Sequence, residues 1–252
     1  KVGLYPYNTV KVVEGFLEAG GGMEYPTVTV IQESNTPSTV ERVIIHEVGH
    51  NWFYGILGSN ERKHPWMDEG INSFYEGKFA TSIKLPFIGN TQVENLAYYT
   101  LGAAYKLSPA TLSSEEFHKV NYGIDVYMKV PLYLRYLEAY MGEASFDKAM
   151  QAYFQKWRFK HPQPKDFEQV FKENAPTDID WFFTMLQSDE MVSFTVSKPE
   201  VKGLETHIQV TNNCSFALPV AINGVDKEGK VVNKWTEPFL GTKQITLNNM
   251  SS

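Results

Sequence analysis

The sequence His-Glu-Val-Gly-His at positions 46–50 constrains the fold of this chain more than any other feature. Side chains four residues apart lie on one face of an α-helix, about one turn apart, so a helix here lets both imidazoles bind one ion. Glu47 then lies beside that ion, where its carboxylate can take a proton from a water that the metal activates. Because so short a motif also arises by chance, the surrounding residues must supply the helix and a further ligand.

The segment around the motif is predicted to be helical. Pro37 suits the start of a helix, and Ser38 and Glu41 have the spacing of a capping box. The apolar pattern continues to about Leu57, and Gly58 follows it. We therefore expect one helix from residue 37 to residue 57, with both histidines on it.

Glu69 is the candidate third ligand. A hydrolytic zinc site needs three protein ligands and an open position for water. Glu69 follows His50 after 18 residues, enough for the end of one helix, a loop and the start of an antiparallel helix near Pro65. The alternative is an acid at a helix N-terminus that only the dipole stabilises. Two imidazoles and one carboxylate favour a single zinc ion, although other divalent ions fit such a site.

The remaining sequence divides into two regions. Strand patterns occur at 10–13 and 27–31, and helical patterns at 90–106, 121–141, 145–158, 164–174 and 178–188. From residue 191, short strand patterns separated by turn signals predict a small β-sandwich-like module. We therefore predict an α+β chain with a mainly helical domain carrying a small sheet at 1–190 and an all-β module at 191–252.

Composition excludes several other classes of protein. The chain has 252 residues and a net charge of −6, which argues against a nucleic-acid binder because such proteins usually carry a basic patch. A single cysteine, Cys214, excludes clusters of thiolate ligands. No stretch approaches the ~20 apolar residues of a membrane-spanning helix. The chain begins at Lys1 rather than Met, so we expect a fragment of a longer protein, with compartment and oligomeric state open.

Several motifs along the chain resemble those of the aminopeptidase N-type family of zinc peptidases, which are gluzincins. His-Glu-x-x-His, 18 residues and a glutamate form the gluzincin signature. The other motifs are Gly21–Tyr25 (Gly-Gly-Met-Glu-Tyr), Trp66–Gly70 (Trp-Met-Asp-Glu-Gly), Val126–Lys129 (Val-Tyr-Met-Lys) and the segment from His161 to Phe167. They stand in the family's order and cover about residues 1–190. The resemblance implies a thermolysin-like catalytic domain and peptide substrates.

The resemblance also implies roles for individual residues. Glu47 corresponds to the general base, and His46, His50 and Glu69 correspond to the zinc ligands. Tyr127 corresponds to the tyrosine that donates a hydrogen bond to the developing oxyanion; without the family context it would read as one core tyrosine among 14. Pro131, four residues later, suggests that Tyr127 lies at or just before the start of a helix.

The segment with three glycines is expected to bind the end of the substrate. Glu24 corresponds to the family glutamate that binds the free α-amine, and the backbone of Gly22 and Met23 would run beside the substrate like an added strand. Glu76 shares a helix face with Glu69. It is either an acceptor for the second nitrogen of a metal-bound histidine or a solvated surface glutamate.

Some residues depart from the family pattern. Tyr25 stands in place of Asn, Gly49 in place of Ala, Asn51 in place of Gln, and Val130 in place of a small residue. None removes a ligand or the base, and we expect them to alter the substrate pocket. Members of the family also carry an N-terminal β-domain that contributes to the amine-binding site, and this chain begins after that point.

The sequence therefore favours a zinc-dependent aminopeptidase that hydrolyses N-terminal peptide bonds. One alternative is an endopeptidase with the same zinc chemistry, in which Glu24 would not need to meet an ammonium group. The other is a peptidase fold kept only for binding. The presence of both Glu47 and Tyr127 argues against a silent module, since such a module needs neither a base nor an oxyanion donor.

Overall fold

The computed structural model describes residues 1–18, 20–34, 36–85, 91–226 and 228–248. By their contacts, these residues form two compact units, one comprising 1–179 with 186–189 and the other comprising 180–185 with 190–252. The chain mixes helix and sheet, as the sequence predicts. Within the described residues, no helix combines the length and the apolar character that crossing a membrane requires.

The first unit begins with a three-stranded sheet. Its strands are β1 (Lys11–Glu14), β2 (Gly22–Met23) and β3 (Val28–Ile31). The middle strand, β3, runs parallel to β1 and antiparallel to β2. Strand β2 therefore forms one edge of this sheet, and helix α1 packs against it.

Helices supply the rest of the first unit, and their order follows the predicted order. They are α1 (Pro37–Gly49), α2 (Ile71–Ser82), α3 (Thr91–Ala104), α4 (Lys119–Ile124), α5 (Val130–Met141), α6 (Glu143–Trp157) and α7 (Pro164–Asn174). An eighth helix, α8 (Asp180–Leu186), follows them. Aromatic side chains fill much of the core, including the buried rings of Phe74, Phe146 and Phe171.

Helix α1 differs from its prediction at both ends. It begins at Pro37 as expected, but its N-cap is Thr36 and no side chain caps it, so the capping box was wrong. It ends at Gly49 instead of Leu57. The apolar pattern continues because the following turns are also buried, with Phe53 pairing with Leu57 as an isolated β-bridge. The apolar pattern therefore extends beyond the helix because the residues after Gly49 are buried, not because they are helical.

Two π-helical turns stand where the sequence predicts ordinary helix. Trp66–Gly70 leads into α2, and Asp125–Lys129 joins α4 to α5. The two turns contact each other. They pack closely because Gly70 has no side chain: a Cβ there would lie 2.6 Å from Cγ1 of the buried Val130.

We expect Gly70→Ala to destabilise the fold by about 1–3 kcal/mol, because the added methyl overlaps Val130 and forces the two π turns apart. Ordinary helix propensity predicts the opposite sign, a gain of up to about 1 kcal/mol. Urea unfolding of Gly70→Ala, Val130→Ala and the double variant tests this. A double variant as unstable as the sum of the single variants would contradict the proposed overlap.

Among its described residues, the second unit contains six strands. They are β4 (Phe194–Val196), β5 (Glu200–Lys202), β6 (Glu205–Asn212), β7 (Ala221–Val225), β8 (Val231–Trp235) and β9 (Gly241–Asn248). Strand β6 pairs antiparallel with β9 along its whole length and with β4 and β5 on its other side, while β7 and β8 form a hairpin. The sequence predicted most strands of both units. It did not predict β2 of the first unit or β5 of the second, which span two and three residues.

Candidate metal centre

Three side chains from α1 and the first π turn converge on one point. Nε2 of His46 lies 3.0 Å from Oε2 of Glu69, and Nε2 of His50 lies 3.2 Å from the same oxygen. The two Nε2 atoms are 3.2 Å apart. His46 lies in the last turn of α1, and His50 is the C-cap residue directly after Gly49, still in right-handed helical conformation.

This donor set fits a tetrahedral zinc ion. Bonds of about 2.0–2.1 Å at tetrahedral angles place ligand atoms about 3.3 Å apart, close to the three separations found here. The donor types, two imidazole nitrogens and a carboxylate oxygen, are those of hydrolytic zinc sites.

The second nitrogen of each histidine is held by a further group, as is usual for metal ligands. Nδ1 of His46 lies 2.9 Å from Oε2 of Glu76. Nδ1 of His50 lies 2.7 Å from Oδ1 of Asp68 and 3.0 Å from the carbonyl oxygen of Phe53. Because a carbonyl oxygen only accepts hydrogen bonds, Nδ1 of His50 carries the proton and its Nε2 presents a lone pair when the ring is neutral.

Glu76 therefore contacts His46, which is the contact that the first of the two sequence interpretations requires. Nε of Arg42 donates to its other oxygen at 2.8 Å and fixes the carboxylate from behind. Asp68 was not identified from the sequence. Its only signal was its place next to Glu69, and neighbouring residues of a helix ordinarily point about 100° apart.

The electrostatics of the cluster follow from burial and mutual contact. Burial disfavours the charged ring of His46, but its contacts with Glu69 and Glu76 outweigh this effect and raise its pKa to about 9. Burial likewise opposes protonation of His50, and its contacts with Asp68 and Glu69 raise its pKa. Burial favours a higher pKa for Glu69, but its contacts with the two histidines lower this pKa far below the usual range. The cluster thus holds protons that a bound cation would displace.

Glu47 is a buried carboxylate beside this cluster. It is 7% exposed, and burial raises its pKa to about 7, against the opposing effect of the two histidines. The backbone of β2 lies directly over it, since a Cβ on Gly22 would come within 2.5 Å of Oε1 of Glu47. The carboxylate therefore lies between the two histidines' helix and the edge strand of the sheet.

Tyr127 lies on the second π turn, and its ring lies over that of His46 with centroids 5.8 Å apart. Burial raises its pKa above the usual range, and the charge of Glu69 adds to this effect, so its hydroxyl keeps its proton. Tyr127 lies just before the start of α5, which has Pro131 in its first turn, as the sequence predicts, although the π turn joins α5 to α4 without a break. The wider π turn accommodates a proline whose ring would clash with the carbonyl group four residues back in an α-helix.

Glu24 follows the edge strand β2 and is 8% exposed. The turn after it is tied to the end of α1 by Asn51, whose Oδ1 accepts from the backbone N–H of Thr27 at 2.9 Å and whose Nδ2 donates to the carbonyl oxygen of Val48. Asn51 thereby links the segment of Glu24 to the helix of the histidines.

Besides Asn51, two further departures from the family pattern have partners within the first unit. A Cβ on Gly49 would lie 2.2 Å from Oδ1 of Asn72, so only glycine leaves room for that side chain. Nδ2 of Asn72 in turn donates to the carbonyl oxygen of His46 at 2.8 Å, a group near the helix end without an intrahelical partner of its own. Val130 meets Gly70, as described above. Tyr25, by contrast, is exposed.

Comparison with known proteins gives a consistent family. The model of the peptidase family M1 domain matches residues 5–186. Among curated proteins, leucine aminopeptidase 2 of Pyricularia oryzae is 27% identical over 171 residues, or 61% of this chain, and aminopeptidase N of Streptomyces lividans is 25% identical over 226 residues, or 83% of this chain. The chain spans only 26% of the length of each of them.

Solved structures show the same fold. Aminopeptidase A of Legionella pneumophila, solved in complex with aspartic acid, matches with a TM-score of 0.74 at 16% identity, over 96% of this chain and 29% of the other. An M1 zinc metallopeptidase of Deinococcus radiodurans, an E323A mutant bound to a Tyr-Ser-Ala substrate, matches with a TM-score of 0.60 at 18% identity, over 75% of this chain and 41% of the other.

Proposed function

Because this chain belongs to peptidase family M1, we propose that it carries the catalytic centre of a zinc aminopeptidase, which removes N-terminal residues from peptides. The observation that carries this proposal is the convergence of two imidazole nitrogens and one carboxylate oxygen within 3.2 Å of one another. Peptide substrates and zinc agree with the family.

His46, His50 and Glu69 would hold one zinc ion, and Glu76 and Asp68 would orient the two imidazoles. A zinc ion bound there supplies a Lewis acid that makes water more acidic and polarises a carbonyl group. A cation held by the two Nε2 atoms would leave both histidines neutral, with the Nδ1 proton of His46 directed at Glu76 and that of His50 donated to the carbonyl oxygen of Phe53 beside Asp68.

Glu47 is the proposed general base. Its carboxylate is unable to reach solvent freely and has a raised pKa in the free site, so it can both accept a proton and pass it on to the leaving amine. Tyr127 is the proposed oxyanion donor, because its hydroxyl stays protonated and lies beside Glu69 and His46. A phenol donor in a buried cleft stabilises developing negative charge more than it would in water.

Glu24 and the edge strand are the proposed substrate-binding elements. Strand β2 presents the backbone of Gly22 and Met23 at the sheet edge beside Glu47, where an extended peptide can add as a further strand. Glu24, at the end of that strand, would pair with the α-ammonium group and so fix which bond lies over the metal.

The finer division of the chain is also a proposal. We infer a thermolysin-like catalytic domain at 1–190 and a small β-sandwich-like module at 191–252. The contacts support this boundary except at residues 180–185 of α8, which group with the second unit. Packing of Val220, Ile222 and Phe239 against the buried cluster of β6 and β9 supports a second layer in the module.

A paired digest tests the proposed activity. The zinc-loaded chain is incubated with one peptide that has a free N-terminus and with the same peptide N-acetylated, with Glu47→Gln as the blank, and products are read by mass spectrometry. Stepwise loss of residues from the free peptide alone supports an aminopeptidase. Internal cleavage of both peptides would establish an endopeptidase instead, and absence of zinc binding together with no effect of Glu47→Gln would favour a silent binding module.

Zinc affinity should rise with pH, by at least a factor of about 10 per pH unit between pH 6 and pH 8. The sign follows from the free site: His46 has a pKa of about 9, so below that pH it carries a proton that zinc must displace. His50, whose pKa is also raised, adds to the slope. Competition with a chromophoric chelator at constant ionic strength measures this dependence, and an affinity independent of pH over this range would contradict the histidine ligands.

A further inference from the structure

A second group of acidic side chains lies next to the metal centre. Carboxylate oxygens of Glu24, Glu61 and Asp68 lie within 4.8 Å of one another. The three come from different parts of the chain: the end of strand β2, the loop before Pro65, and the first π turn. Only Asp68 has a basic partner among the described residues, the ring of His50.

Glu24 is the residue that points to a ligand. It is 8% exposed, and its carboxylate has neither a hydrogen bond nor an ion pair among the described residues. A buried carboxylate without a partner is costly, so such a group is normally paired with a cation. Here the carboxylates of Glu61 and Asp68 lie within 4.8 Å, so a cation bound among the three would offset their mutual repulsion.

The negative potential of this trio also acts on a neighbouring side chain. Burial raises the pKa of the Tyr54 hydroxyl, and the charges of Glu61, Glu24 and Asp68 raise it further. Tyr54 thus forms a neutral wall beside three acids.

The spacing of the oxygens suits an ammonium group. Three acceptors at about 2.8 Å from a tetrahedral nitrogen lie about 4.6 Å apart, within the limit found here. An ammonium group also has three N–H donors, one for each carboxylate. Glu61 is exposed, so the trio opens to solvent on one side, where a ligand can enter.

We propose that Glu61 acts with Glu24 to hold the α-ammonium group of the substrate peptide, with Asp68 as the third acceptor. This inference rests on the proposed aminopeptidase function and adds a specificity-determining residue to it. Asp68 connects the two sites directly, since it contacts Nδ1 of the metal-binding His50. This chain would then supply three acceptors for the amine, one of them from a residue that no motif identified.

The test compares two probes that differ only in the amine. L-Leucinamide carries the ammonium group, and 2-hydroxy-4-methylpentanamide carries a hydroxyl group in its place. Both are titrated by ligand-observed NMR into the zinc-loaded chain, with Glu47→Gln present throughout to prevent turnover. Glu61→Gln should weaken leucinamide binding about tenfold, the effect of losing one charge-assisted hydrogen bond, and should change binding of the hydroxy probe less than twofold. Glu173→Gln, on the exposed face of α7, is the matched control and should change neither.

The outcomes separate this inference from the proposed function. If the chain itself does not prefer leucinamide to the hydroxy probe, recognition of an amine fails altogether, and with it both proposals. If the chain has the preference, Glu24→Gln removes it and Glu61→Gln leaves it intact, the proposed function stands and the role of Glu61 is wrong. If the chain binds two zinc or calcium ions and Glu61→Gln binds one fewer, the trio is a second metal site, which also overturns the inference.

Discussion

Replacing Glu47 by glutamine should lower kcat by a factor of about 100 to 10,000 and leave zinc bound. Glutamine has nearly the same shape, so the packing under Gly22 is kept, but its amide accepts no proton. The metal is retained because His46, His50 and Glu69 are untouched. Steady-state kinetics on an aminoacyl substrate, with zinc content measured on the same samples, tests this.

Two controls make the result specific to proton transfer. Glu41→Gln removes a carboxylate from an exposed position of the same helix and should leave kcat within twofold. The chain's own activity should fall as the pH is lowered, because the base must be deprotonated; in the free site its pKa is about 7, and a bound cation moves the loss to lower pH. A Glu47→Gln variant that kept full activity would remove Glu47 from the mechanism.

Replacing Glu69 by glutamine should weaken zinc binding by roughly 100- to 1,000-fold, or about 3–4 kcal/mol. The charge of Glu69 faces both Nε2 atoms, and it is the only negative ligand of the proposed three. The amide of the glutamine also introduces N–H groups, which cannot bind a cation, at the position of a carboxylate oxygen. Competition with a chelator of known affinity measures the loss, and circular dichroism establishes that the fold is kept.

Glu76→Gln, on α2 directly after the π turn of Glu69, is the matched comparison. Because Glu76 contacts His46 at Nδ1, the nitrogen that faces away from the proposed ion, its replacement should weaken zinc binding by about tenfold, the lower end of the effect of an orienting group. The order of the two effects is the critical result. If Glu76→Gln released zinc more readily than Glu69→Gln, the assignment of ligand and orienting residue would have to be exchanged.

The sequence was most informative where periodicity and local chemistry agree. Prolines at the first helical position mark the starts of α1 and α7. The strands β3 and β9 can be predicted from their own residues, without contacts to distant segments. The end of α1 was misjudged because Phe53 and Leu57 are buried in turns rather than in a helix. The spacing of apolar residues indicates which side chains are buried, but it does not indicate whether their backbone is helical.

The candidate site could be predicted only as far as its motifs reach. The spacing of His46, His50 and Glu69 is a property of the chain, whereas the approach of Asp68 to Nδ1 of His50 depends on how a π turn directs two successive acids. Glu61 lies in a loop with no periodicity, so its position near Glu24 follows only from the folded chain. Contacts between distant segments left no trace in local sequence patterns.

The two π turns have a consequence for how this chain tolerates insertions and deletions. A π turn contains one residue more than an α-helical turn of the same rise, so it is equivalent to a one-residue insertion in an α-helix. Removing one residue from Trp66–Gly70 or from Asp125–Lys129 would let ordinary helix form while α2 and α5 kept their register. The core would survive, but Glu69 or Tyr127 would rotate by about 100° away from the histidines. The extra residue in each of the two π turns therefore sets the direction in which Glu69 and Tyr127 point.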